Sequence, residues 1–298
     1  MHVVMAGASG FLGSALGRAL DARGHDVTRL VRRPPRGGDE SQWDPYAGVV
    51  DQDLVGAADV VVNLAGAPTV GNPHSRRWAD ELLRSRVVTT RLLAEAVAAA
   101  GGGASYLAGN GISFYGDHGD EVVTETSNSR GDALLTRVTR AWQEATLPAA
   151  EAGARVCVLR TSPVLDRASA PLKQLVPLFK LGLGARLGDG SQYMPLVSLR
   201  DWVAAVAFVA ESPTVSGPVN LCCPEAPTNA EFTATLAAAL HRPAVLRAPA
   251  FVLRPGAGLM APELLGSVRP RPQVLLDAGF EFADNDIAAV VAAALRTQ

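Results

Sequence analysis

Gly7-Ala8-Ser9-Gly10-Phe11-Leu12-Gly13 follows an apolar start, Val3-Val4-Met5-Ala6, and leads straight into a helical pattern over Ser14–Arg23. Strand, glycine turn and helix in that order are what a dinucleotide pyrophosphate needs. Glycines let the backbone turn tightly and approach the phosphates, while the helix amino terminus presents free N–H groups and a partial positive charge. The glycine spacing by itself also suits a plain structural turn. Its place between a strand and a helix is what marks a nucleotide site.

Outward from that loop, strands and helices alternate. Asp26–Val31 reads as a second strand after a helix stopped by Gly24. Asp59–Leu64 is a continuous apolar run, as a parallel strand buried on both faces requires. His74–Ala100 carries apolar residues at three- to four-residue intervals, including Leu82, Leu83, Val87, Leu93 and Val97, and ends at Gly101-Gly102-Gly103. Ser105–Ala108 is expected as a strand, Gly131–Ala152 as a helix and Arg155–Arg160 as a strand. This series predicts an α/β protein with a doubly wound parallel sheet. After residue 164 prolines and glycines mark a looped region. Expected there are a strand at Gln192–Val197, a helix at Leu199–Glu211, a strand at Pro218–Cys222, and helices at Thr228–Leu240, Pro270–Ala278 and Asn285–Leu295. Thr228 or Asn229 would cap the first of those three.

The 298 residues are ample for a large core, and a net charge of −2 argues against nucleic acid as the main partner. Apolar runs stay short of the ~18–20 residues of a membrane span; Val203–Ala210 is cut by Glu211. With its first strand at the start, the chain is expected to lack a signal peptide. Cys157, Cys222 and Cys223 have no metal-ligand spacing and the histidines are scattered, so reduced structural thiols, no metal and a cytoplasmic location are expected.

The apolar residues of the second strand place its carboxyl end at Arg32-Arg33, with Arg36 nearby, whereas Asp26 stands at its beginning. An acidic residue at the carboxyl end would bind the ribose 2′-hydroxyl of NAD; a guanidinium there can clamp a 2′-phosphate through parallel hydrogen bonds. NADP(H) is therefore expected over NAD(H). The competing reading is a solvated arginine loop.

Several segments then point to one family. Asn63-Leu64-Ala65-Gly66 resembles the Asn-x-Ala-Gly of extended short-chain dehydrogenases/reductases, and Phe114-Tyr115-Gly116 their Tyr-Gly. Arg77-Trp78, Ser85-Arg86-Val87-Val88-Thr89-Thr90-Arg91, Gly119-Asp120-Glu121-Val122, Leu159-Arg160-Thr161 and Leu181-Gly182-Leu183-Gly184 narrow the match, as do Gly217-Pro218-Val219-Asn220, Thr228–Phe232 and Ala278-Gly279-Phe280. Over essentially its whole length the chain resembles the atypical NAD-dependent epimerase/dehydratase-like branch, the epimerase family proteins once called cell-division inhibitor homologues. The resemblance implies an NADP(H)-binding Rossmann domain at 1–164, with 196–222 returning to it, and a smaller α/β substrate-binding subdomain within 165–298. Carried over by position, the cofactor contacts are Gly7, Ser9, Gly10, Phe11, Leu12, Gly13, Arg32, Leu64, Ala65, Gly66, Arg86 and Val164. For Arg86 a surface ion pair is the alternative. Helices 74–100 and 131–152 are those through which extended relatives pair, so monomer and homodimer both remain open.

Ordinary members of the superfamily move the proton that accompanies hydride transfer with a Tyr-x-x-x-Lys pair. Here the residues four after Tyr46, Tyr106, Tyr115 and Tyr193 are Val50, Asn110, Gly119 and Val197, and the only lysines are Lys173 and Lys180. The pair is absent, as is common in this branch; its positions align with Leu135 and Thr139. The branch's Ser-Ala-Val reads Asn110-Gly111-Ile112, and its Trp-Ile-His-x-x-Asp reads Leu196–Asp201. Candidates for the missing chemistry are Tyr115, Asn110, Ser113 and His118. Tyr115 needs a cation beside it, and otherwise serves as a wall residue. His118 is expected on an exposed loop, and Asn110 either bonds a carbonyl or shapes a turn. The leading expectation is an NADP(H)-binding oxidoreductase or epimerase-like enzyme acting on a small organic molecule. The alternatives are a redox-neutral isomerase or cyclase on the same fold, and a non-catalytic NADP(H) sensor or scaffold.

Overall fold

A computed structural model describes residues 1–296. Its centre is a seven-stranded parallel sheet. In chain order the strands are β1 (His2–Ala6), β2 (Asp26–Val31), β3 (Glu40–Gln42), β4 (Val60–Asn63), β5 (Ser105–Gly111), β6 (Val156–Thr161) and β7 (Gly217–Leu221). Their spatial order is β7-β6-β5-β4-β1-β2-β3. The chain builds outward from β1 through β2 to β3, then crosses to β4 and builds the other way. The reversal opens a crevice at the carboxyl ends of β1 and β4.

Both faces of the sheet are covered, so the strands are apolar throughout. Val3 and Met5 of β1 enter one core with Leu16, Leu20, Trp202 and Val206, from helices Phe11–Ala22 and Leu199–Glu211. Val4 and Ala6 enter the opposite core with Leu93 and Val97 of helix Arg76–Ala99. Truncating a buried leucine such as Leu93 to alanine costs about 2–5 kcal/mol. A separate core joins Leu165, Leu172, Phe179 and Leu196 to Phe232, Leu236, Val290 and Val291, while Trp202, Leu275 and Phe282 pack into the core of the sheet. Strand β7 returns to the sheet beside β6, with Val219 opposite Leu159.

Three expected elements differ. Gly131–Ala152 is two helices, Leu134–Glu144 and Leu147–Glu151. Gly131 has φ +71°, which delays the start. Pro148 has no N–H to donate and its ring clashes with the carbonyl four residues back, so it starts a new helix. Gln192–Val197 is not a strand: Tyr193 makes a single bridge to Thr228, and the pairing begins at Val197–Ser198, opposite Val164–Leu165. Pro270–Ala278 is helical only at Gln273–Asp277, because Pro270 pairs with Val123 and Pro272 is the cap. Thr228, not Asn229, caps Asn229–Ala239, in a reciprocal box with Glu231.

Candidate functional site

The glycine loop is built by close approach. Gly7 has φ +79°, and a Cβ there would lie 2.5 Å from the carbonyl carbon of Leu64. On Gly13 a Cβ would lie 2.2 Å from the carbonyl oxygen of Gly7. The loop is thus pressed against the end of β4 while the helix is pressed against the loop. Gly10, the helix N-cap, supplies no side-chain bond to the first turn, which leaves those N–H groups for an anion. Ser9, Gly10 and Phe11 are exposed, Leu12 is half-buried and Gly13 is buried.

Beside the loop, the turn leaving β4 is fixed by side chains. Asn63 Oδ1 accepts the Ala65 N–H at 3.0 Å, and Asn63 Nδ2 donates to Thr90 Oγ1 at 2.9 Å. Ser85 Oγ accepts the Ala67 N–H at 3.0 Å. These bonds to the Ser85–Arg91 stretch hold Leu64, Ala65 and Gly66 at the crevice. Arg86 lies beneath them: a Cβ on Gly66 would come within 3.3 Å of its Cγ. Its guanidinium donates to Leu82 O at 3.1 Å and to Thr69 Oγ1 at 3.3 Å and lies 5.1 Å from the Trp142 ring centroid. Among the described residues it has no carboxylate partner, and burial lowers its pKa to about 10. Among the described residues the surface ion pair considered for Arg86 is not formed.

At the end of β2 the arginines separate by role. Arg33 donates to both carboxylate oxygens of Glu40, at 2.7 and 2.6 Å. The Arg33 hydrogen bonds hold Glu40 at a pKa of about 2. Arg32 is exposed and makes no hydrogen bond or ion pair among the described residues. The strand order brings this end beside the glycine loop and the β4 turn, since Ala6 is level with Asn63 on one side and Leu30 on the other. Val164 lies beyond β6, is 8% exposed and pairs with Val197, so at most an edge of it borders the crevice.

Of the proton-transfer candidates, Asn110 lies near the end of β5, and Ser113, Tyr115 and His118 follow it. Tyr115 is fully buried; its hydroxyl donates to Asn220 Oδ1 at 2.7 Å and accepts from Arg160 at 2.8 Å. A cation is present after all, but burial outweighs it and pushes the phenol up to about 12. Asn110 is buried, donates to Thr139 O at 3.1 Å and accepts from Gly111 N at 2.7 Å, so its amide shapes the strand end. His118 is not exposed as expected: it is 6% exposed, because Ser267 accepts its backbone N–H at 2.8 Å and draws the 266–270 segment over it. Ser113 Oγ donates to Glu263 Oε2 at 2.7 Å. Leu135 packs against a buried cluster of Ala79, Leu82, Leu134 and Val138, while the Thr139 hydroxyl donates to Leu135 O at 2.8 Å. The two aligned positions are thus an apolar contact and a helix-internal hydroxyl.

Arg160, quoted only as part of a family motif, and Glu263 were given no chemical role from sequence. Arg160 had a signal, a lone charge inside an apolar strand, which must find partners when buried. Glu263 had none, since its relation to Ser113 spans 150 residues.

The sequence profile of the NAD dependent epimerase/dehydratase family matches residues 3–222. The chain belongs to that family. A domain of unknown function, DUF1731, matches residues 248–294, which include Glu263. An epimerase family protein of Mycobacterium bovis is 42% identical over 96% of this chain and 94% of its own. The crystal structure of human epimerase family protein SDR39U1 with NADPH is 29% identical and superposes with a TM-score of 0.88, covering 99% of both chains. A nucleoside-diphosphate sugar epimerase from Corynebacterium glutamicum is 31% identical with a TM-score of 0.79; the match covers 99% of this chain and 58% of that one. Among the described residues no helix is long and apolar enough to cross a membrane, and no cluster of metal-ligating side chains is present.

Proposed function

We propose that this chain is an NADP(H)-dependent oxidoreductase or epimerase-like enzyme that acts on a small organic molecule, with its cofactor along the crevice at the carboxyl ends of β1, β2 and β4. The observation that carries this reading is the division of labour at the end of β2. Arg33 is tied to Glu40, and Arg32 stands free beside the glycine loop. A 2′-phosphate matches Arg32, the pyrophosphate matches the uncapped helix start at Gly10, and the nicotinamide end extends toward β5. When bound, NADP(H) supplies the hydride chemistry; the chain supplies orientation and a proton path. The similarity to the human protein crystallised with NADPH supports the cofactor choice.

Ser113 and Glu263 favour an enzyme over a sensor, because they place a hydroxyl and a carboxyl together at the far end of the crevice. Titration of the purified protein with NADPH and NADH, followed by quenching of tryptophan fluorescence, tests the proposal. Micromolar NADPH binding with much weaker NADH is expected. Equal affinities would contradict the role given to Arg32, and failure to bind either would contradict the cofactor itself.

A further inference from the structure

Ser113 comes two residues after β5 ends at Gly111, on the edge of the sheet from which the crevice opens. Its partner Glu263 belongs to the short helix Ala261–Leu265, which reaches this place through long-range contacts. Ser267 N donates to Asp117 Oδ1 at 3.3 Å, His118 N donates to Ser267 O at 2.8 Å, and Ser267 Oγ donates to Gly119 O. The chain therefore uses several bonds to hold one carboxyl over the end of β5.

Glu263 is half-buried, and burial raises its carboxyl above the usual carboxylate range, with the Ser113 hydrogen bond opposing. No charged neighbour contributes. The titratable and charged groups on the elements around it include Asp117, whose Oδ1 already accepts from Gly119 N and Ser267 N, His74, which packs against Gly258, Arg254 on the helix Ala250–Ala257 packed against this one, and Arg137 and Arg140 on Leu134–Glu144, which packs against the Ser113 turn. A carboxyl that ionises closer to neutrality, joined to a hydroxyl, can store and release a proton at working pH.

We infer that Ser113 and Glu263 are the proton-transfer pair of the cleft, in the role that Tyr-x-x-x-Lys fills in ordinary short-chain dehydrogenases, and that the substrate is a carbonyl compound or the corresponding alcohol. The inference rests on the NADP(H) reading above. In the reducing direction a hydride from bound NADPH, which is oxidised to NADP⁺, adds with its electron pair to the carbonyl carbon, and the π pair of the carbonyl moves onto oxygen. With Glu263 protonated, its carboxyl donates to Ser113 Oγ; the substrate oxygen takes the proton of Ser113 Oγ, and Ser113 takes the carboxyl proton of Glu263. The carboxylate left behind regains a proton from water. Oxidation of the alcohol runs the same transfers backwards.

The test needs no substrate. Oxidised nicotinamide carries a positive charge that the reduced ring lacks, so an ionised Glu263 facing the ring favours NADP⁺ over NADPH. Dissociation constants for both are measured from about pH 5 to pH 9 across the carboxylate-to-neutral range in the wild type, Glu263→Gln and Ser113→Ala. Ionisation of the 2′-phosphate affects both ligands alike and cancels in their ratio. In the wild type the preference for NADP⁺ is expected to rise with pH by about tenfold, equivalent to about 1.4 kcal/mol of attraction between the carboxylate and the charged ring. Glu263→Gln should abolish the rise, and Ser113→Ala should move it to higher pH because the bond that favours the carboxylate is gone. A ratio that stays flat in the wild type, or that rises identically in Glu263→Gln, overturns the inference while leaving the cofactor assignment intact. Absence of NADPH binding at every pH overturns the cofactor assignment, and this inference falls with it.

Discussion

The Arg160 guanidinium donates to the Tyr115 hydroxyl at 2.8 Å in a part of the molecule where Tyr115 is 0% and Arg160 2% exposed. Arg160 also donates to the Glu125 carbonyl at 3.2 Å and to Gln143 Oε1 at 3.0 Å, and its guanidinium carbon stands 3.6 Å from the centroid of the Phe114 ring. Tyr115 meanwhile donates to Asn220 on β7. The pair thus ties β6 and β7 to the loop after β5, beneath the proposed reaction site.

Tyr115→Phe is therefore expected to act on stability. It leaves Asn220 Oδ1 without the Tyr115 donor and removes one acceptor from Arg160, at a cost of about 1–3 kcal/mol. Urea unfolding measures that loss, and NADPH affinity should stay at the wild-type value. Wild-type stability with lost cofactor binding would instead put Tyr115 in the site.

Three glycines of the first βα unit should respond differently to alanine. At Gly7 and Gly13 the new methyl meets backbone within 2.5 and 2.2 Å, so each variant should lose about 1–3 kcal/mol or more and bind NADPH poorly. Gly17 lies in the same helix with nothing within 4 Å of the added Cβ. Gly17→Ala should gain about 0.4–1 kcal/mol by restricting the unfolded chain. Thermal unfolding of the three variants side by side checks the contrast; an equal response at all three positions would contradict the packing described.

Glu125 predicts a pH dependence. Its Oε1 accepts from the backbone of Asn220 at 3.1 Å and of Val274 at 3.2 Å, whereas Oε2 is buried without a partner among the described residues. Burial raises its pKa against those hydrogen bonds. The folded state therefore holds this proton to higher pH than the unfolded chain does. The group's contribution falls as pH rises from the ordinary carboxylate value through the raised one, and does not recover above it. Glu125→Gln retains an acceptor oxygen and cannot ionise. Relative to the wild type, the variant should gain stability as pH rises above the ordinary carboxylate value of about 4.3 and keep that gain at higher pH. Parallel unfolding curves across that range would contradict the assignment.

What could be read from sequence was local. The glycine loop, the strand ending at Asn63 and the arginines after Val31 are each set by neighbours within a few residues, and the sheet order follows from alternating strands and helices. Glu40–Gln42 went unassigned, because three residues at a sheet edge carry too little pattern. Which arginine is free was not legible either: Arg33 is removed by Glu40, seven residues away across a Pro-Pro-Arg-Gly-Gly turn. The polar end of the crevice was the least legible. His118 is buried, and Ser113 has its partner, only because 263–270 folds back over the loop after β5. No periodicity records a contact of that range.

The central claim is that Arg32 selects a 2′-phosphate. Its most direct test is the affinity of Arg32→Ala for NADPH and for NADH, beside Arg33→Ala as a control. Loss of a charge-assisted contact worth about 1.5–3 kcal/mol should weaken NADPH by roughly 10- to 100-fold. NADH should be unaffected, and Arg33→Ala should keep the preference for NADPH. If Arg32→Ala binds NADPH as the wild type does, or loses NADH equally, the phosphate clamp is not at Arg32 and the cofactor assignment made from this strand end is wrong.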